Sequence, residues 1–66
     1  MMELTEDERG RINVYASNLV KLGAIPNTQV VYDTFSNVEL KRMATLLATP
    51  RGVNTPWVIG QIRMRN

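Results

Sequence analysis

The side chains with the most chemical reach lie in the second half of the chain: Lys41, Arg42, Arg51, Asn54, Thr55, Trp57, Gln61, Arg63 and Arg65. Lysine and arginine neutralise phosphates and release condensed counterions, so binding that uses them weakens with salt. Asparagine and glutamine amides match the donor and acceptor pattern of adenine. An indole stacks on a sugar or on a partner surface. Each residue also has a plain role. Cations such as Arg63 and Arg65 are favoured at a helix C-terminus by the helix dipole. Lys41 and Arg42 suit a solvated face, and Asn54 and Thr55 suit a turn and a cap. A lone tryptophan in a chain this short is expected in the core.

Other chemistry is poorly provided for. The chain has no cysteine and no histidine. Disulfides and thiolate metal sites are therefore excluded, and so are the usual general base and the commonest zinc ligand. Glu3, Glu6, Asp7 and Glu8 crowd one polar stretch, while Asp33 and Glu39 stand apart. None resembles a carboxylate pair buried among apolar residues. The expectation is a protein that is not an enzyme and uses no metal or cofactor. No apolar run is long enough for a membrane span. The acidic N-terminus is unlike a signal peptide, which makes the cytoplasm the expected location.

The net charge is +2, unevenly distributed. Residues 1–33 hold five acids and three bases, whereas residues 34–66 hold one acid and five bases. A basic half is a candidate footprint for phosphate, or simply a soluble surface.

These side chains must be positioned by short helices. A first helix is expected from Thr5 to Leu22. Thr5 and Glu8 have capping-box spacing, and Glu6, Asp7 and Glu8 suit the first turn. Ile12, Tyr15, Ala16, Leu19 and Val20 form one apolar stripe, Gly23 is a natural terminator, and Pro26 prevents continuation. Gly10 inside the helix calls for a close neighbour. Residues 28–35 read as a short helix capped by Thr28, with a strand as the alternative because Val30, Val31, Tyr32 and Phe35 are β-formers. Residues 37–48 read as a helix with a second capping box, Ser36 and Glu39. Phe35 and Leu40 are spaced for a hydrophobic staple, and Leu40, Met43, Ala44 and Leu47 form the buried face. Residues 56–65 read as a fourth helix, with Thr55 as its cap, Pro56 at its first position, and Val58, Ile59 and Ile62 on one face. A strand from Trp57 to Met64 is the alternative.

The fold class expected is all-α: a small domain of three or four helices, 1–66, with a C-terminal helix-turn-helix. In that arrangement small Ala44 lets the last helix cross closely. Arg51-Gly52-Val53 forms the turn, Val53, Val58 and Ile62 seal the pair, and 56–65 is the candidate recognition helix. The stretch Gly52-Val53-Asn54-Thr55-Pro56-Trp57-Val58-Ile59-Gly60-Gln61-Ile62 resembles the helix-turn-helix of the GcrA family of cell-cycle transcription regulators. There a Gly-Val turn precedes a Val-Ile-Gly-Lys-Val helix. Thr55 and Pro56 fall where that motif carries Arg-Asn, Gln61 where it carries Lys, and Arg63 where it carries a basic residue. Met43-Ala44, Leu47, Arg51-Gly52-Val53, Thr55-Pro56, Trp57 and Ile62-Arg63 through Asn66 are also similar to the DNA-binding segment of large serine recombinases. Both resemblances cover the C-terminal half and imply double-stranded DNA as the ligand.

The first functional expectation is thus a small DNA-binding regulator, acting as a homodimer or with a partner. The second is an adaptor or inhibitor of accessory or phage type that docks on a larger protein complex. The two part at Trp57: the first needs residues 56–65 to be a helix with the cations on one surface, and the second needs an exposed apolar patch. A third expectation is a structural subunit held by homo-oligomerisation, with the stripe of the first helix as its seam.

Overall fold

Two capping boxes determine where the longer helices of the first forty-odd residues begin. The computed structural model describes residues 3–66, and every regular element among them is helical. Helix α1 spans Glu6–Lys21, α2 Gln29–Thr34, α3 Asn37–Leu47 and α4 Thr55–Arg65. The Thr5 hydroxyl accepts from the Glu8 N–H at 3.1 Å, and Glu8 returns a carboxylate oxygen to the Thr5 N–H at 2.8 Å. Ser36 and Glu39 do the same for α3, at 3.3 and 3.0 Å. Each box satisfies two backbone donors that the helix cannot use.

Helix α1 ends in a Schellman motif. Gly23 takes φ 76°, its N–H donates to the Val20 carbonyl at 2.9 Å, and the Ala24 N–H donates to that of Leu19 at 2.9 Å. Only glycine takes this φ without β-carbon strain. Gly52, at φ 68°, plays the corresponding part in the turn before α4. The segment 28–35 is a helix, yet the Thr28 hydroxyl makes no capping bond. At the start of α4 the cap is Asn54, not Thr55. The Asn54 Oδ1 accepts from the Trp57 N–H at 3.2 Å, and Pro56 is the second residue of the helix rather than the first.

The core takes Ile12, Ala16 and Leu19 from α1, Val31 from α2, Leu40, Met43 and Ala44 from α3, and Val58 and Ile62 from α4, with Ile25 and Phe35 from the connections. Phe35 and Leu40 are both buried in it, as the staple requires. Full burial of a side chain such as Leu40 contributes about 1.5–3 kcal/mol. Leu47 is only partly buried and closes the edge.

The close helix pairs are α1 with α3 and α2 with α4. The helix-turn-helix expectation had α4 crossing closely on α3 at Ala44. Ala44 is fully buried, but the near neighbour of its helix is α1. The stripe Ile12, Ala16 and Leu19 is consumed by this packing, so it is not a seam between copies. Gly10 has no close neighbour either: a β-carbon there would meet nothing within 4 Å. No helix among the described residues is long and apolar enough to cross a membrane.

Candidate docking surface beside Trp57

Helix α4 carries apolar residues on more than its inner face. Val58 and Ile62 are buried and Ile59 packs against the core. Outside, Trp57, Gly60 and Met64 recur at positions i, i+3 and i+7, which is one face of a helix. Trp57 is 46% exposed and Met64 80% exposed. Trp57 was expected in the core. It lies instead at the rim, its ring 6.0 Å from that of Phe35 and tilted by 31°. Phe35 fills the inner position, and the indole covers it.

Beside Trp57 runs a groove of about 200 Å³ between α3 and α4. Met43, Leu46, Val53, Trp57 and Val58 supply its apolar lining, and Arg42, Glu39 and Asn54 its polar part. Asn54 is already committed, because its amide oxygen caps α4.

The cations of residues 34–66 divide into two groups. Arg65 grips Glu39 with both arms of its guanidinium, Nη1 on Oε1 and Nη2 on Oε2, each at 2.9 Å. Its Nη1 also donates to the Thr34 carbonyl at 3.2 Å, its Nε donates to Gln61 Oε1 at 3.1 Å, and it lies 5.3 Å from the centre of the Phe35 ring. The hydrogen bonds from Arg65, followed by that from the Ser36 N–H, hold the Glu39 carboxyl at about 2, against an ordinary 4.5. The Arg65 pKa is raised by the same pairing.

Lys41 donates to Glu8 Oε1 at 2.7 Å. That bond and the one from the Thr5 N–H lower Glu8 from 4.5 to about 2. Lys41, Arg65 and Gln61 therefore serve the fold. Thr55 does too: its hydroxyl shares a 2.8 Å hydrogen bond with the Tyr15 hydroxyl. Burial raises the Tyr15 pKa, and the bond to Thr55 opposes the shift. The Tyr32 hydroxyl donates to the Asn13 side chain on α1.

Arg42, Arg51 and Arg63 remain. All three are exposed and make no ion pair or side-chain hydrogen bond among the described residues. Arg42 borders the groove, one residue from Lys41, which is turned to Glu8 on α1. The Trp57–Met64 stripe was not singled out from the sequence. Its signal was the near absence of an apolar–polar division along 55–65, which leaves apolar residues over once the core is filled.

No family model, curated protein or solved structure matches the chain.

Proposed function

We propose that this chain is a small protein-docking module that binds a larger partner through the Trp57 groove. The observation that carries the reading is the outer face of α4. A helix that reads base edges presents mainly polar side chains outward, whereas the outer face of α4 carries Trp57, Gly60 and Met64, with Arg63 as its one unpaired cation. Tryptophan, methionine and arginine are the residues enriched where protein interfaces concentrate their binding energy. Arg42 at the rim, with Glu39 beside it already neutralised by Arg65, favours a partner that places an apolar side chain in the groove and a carboxylate over Arg42.

A second reading keeps double-stranded DNA as the ligand. Residues 55–65 fold as a helix rather than a strand, and Arg42, Arg51 and Arg63 are uncommitted cations. The resemblance to the GcrA and serine recombinase segments supports it. Against it stand the internal engagements of Lys41, Thr55, Gln61 and Arg65.

Salt separates the two. The full chain, tagged and recovered from the cells that make it, is expected to retain a specific protein at high salt. Met64→Glu and Trp57→Ala should lose that protein while the helical circular dichroism is unchanged. Titration with a random duplex is expected to give weak binding only. Duplex binding that falls steeply with salt and disappears in Arg42→Ala/Arg63→Ala, with no protein retained, would establish the DNA reading in its place.

A further inference from the structure

The apolar stripe on the outer face of α4 has an uncommitted arginine on each side. At about 100° per residue, Trp57, Gly60 and Met64 lie within about 60° of one another around the helix. Gln61 and Arg65 follow on the side that reaches α3, where Arg65 holds Glu39. Arg63 falls about 60° from Gly60 on the other side. Arg42 stands across the groove on α3. Neither Arg42 nor Arg63 makes an ion pair or a side-chain hydrogen bond among the described residues. Glu39 is the one acidic residue of this half, and Arg65 occupies both its oxygens. No free side-chain carboxylate of residues 34–66 is therefore left for either arginine.

Charge and backbone chemistry identify the occupant. An apolar stripe between two cations is complemented by an apolar stripe between carboxylates. Gly60 leaves a notch between two large side chains, each one turn away. A β-carbon there would meet nothing within 4 Å, so the space above it is open. Spacings of three and four residues are those that a facing helix matches. An extended segment has no such fit. Every regular element among the described residues is helical, so an added strand would find no ladder to join. Its N–H and C=O groups would lose water without gaining partners, whereas a helix satisfies its own. The eleven residues of α4 present about 16 Å of surface, or three turns.

We propose that the segment seated at the Trp57 groove is an acidic amphipathic helix of a partner protein. This rests on the docking reading above and adds the shape and charge of what docks. One apolar side chain of the partner fills the groove of about 200 Å³ beside Trp57. A second sits over Gly60 against Met64. Aspartate or glutamate on the two flanks of the partner helix meets Arg42 and Arg63. The apolar contacts hold the partner, and the flanking pairs select it by charge.

Three synthetic peptides without tryptophan test this on the full chain, with the emission of Trp57, its single tryptophan, as the readout. Each has about 18 residues, long enough to form a helix. The first carries leucines at i, i+3 and i+7 with glutamates on both flanks. The second has lysines in place of the glutamates, and the third is the first with two central prolines, which break the helix. The acidic peptide is expected to shift Trp57 to the blue and to gain helical circular dichroism. The lysine peptide should bind about tenfold more weakly, and the proline peptide should give no shift. In Arg42→Glu/Arg63→Glu the preference should reverse toward the lysine peptide, with the fold unchanged because neither side chain is engaged in it. Equal binding of the acidic and lysine peptides, equal binding of the proline peptide, or a preference that survives the charge reversal would each overturn the acidic helix while leaving docking at Trp57 in place. A random duplex that displaces the acidic peptide would overturn it by assigning the two arginines to phosphate. No response of Trp57 to any peptide would overturn it as well. The docking reading itself is judged separately, by whether a cellular protein is retained at high salt and lost in Trp57→Ala.

Discussion

Arg65 closes on both oxygens of Glu39 at 2.9 Å, and the same carboxylate accepts the Ser36 N–H that begins α3. One side chain thus starts a helix and holds the last turn of another. Glu8 has the same double duty at α1, with the Thr5 N–H on one side and Lys41 on the other. In both cases the capping bond also holds the carboxylate in place for the distant cation. This reduces the side-chain entropy that an exposed ion pair ordinarily loses.

Ser36→Ala removes the hydroxyl half of the second box. The expected loss is about 1 kcal/mol, or a Tm lower by about 4–8 °C in a domain of this size. Arg65→Ala should lower the Tm without altering the cap, and Glu39→Ala should lower it further than Ser36→Ala, because it removes both the capping carboxylate and the ion pair. Thermal melts of the three variants check the order; a loss for Glu39→Ala no larger than that for Ser36→Ala would count against any contribution from the ion pair.

Acid should loosen the fold over a defined range. Glu8 and Glu39 titrate at about 2 in the folded chain, against an ordinary 4.5. Their depressed values mean that the unfolded chain binds protons first as pH falls. The stabilisation is therefore complete above 4.5 and is lost progressively between 4.5 and about 2. Tm measured against pH should be flat with respect to these groups above that range and fall within it. In Glu39→Gln the fall should be shallower.

Tyr15→Phe deletes the hydroxyl that bonds Thr55 across forty residues of sequence. The expected cost is about 1 kcal/mol by denaturant titration, since the bond is partly buried and a threonine hydroxyl is left without its partner. A double substitution with Thr55→Val should cost less than the sum of the two single changes.

Gly10→Ala should stabilise the chain by about 0.5–1 kcal/mol, because nothing crowds the site and the backbone there is ordinary helix. Gly23→Ala should do the reverse, as φ 76° strains any β-carbon. A destabilised Gly10→Ala chain in urea titration would show that the helix is distorted at that position.

Trp57 is the single tryptophan and reports its own surroundings. At 46% exposure it should be quenched by acrylamide nearly as readily as a free indole on the accessible side. A partner seated in the groove should shift its emission to the blue and protect it. Met64→Glu should leave stability within about 0.5 kcal/mol while abolishing that protection.

Local chemistry was legible in the order of residues. Thr5 with Glu8, Ser36 with Glu39, and Gly23 after Leu22 act through neighbours three or four positions away, so a short window contains both partners. The periodic apolar residues of α1 and α3 were readable for the same reason, and so was the all-α class. Asn54 displaced Thr55 as a cap because two adjacent residues suit that position, and only the path of the turn selects between them. The destination of the cations was decided by the tertiary structure alone. Lys41 meets Glu8 from 33 residues away and Arg65 meets Glu39 from 26, and their charges look the same in sequence as those of Arg42 and Arg63, which make no ion pair among the described residues. Trp57 likewise became a surface residue because Phe35 had taken the interior place beneath it. Periodicity and capping are set by bonds along the chain, whereas an ion pair or a buried ring depends on a few ångströms between elements that only packing brings together.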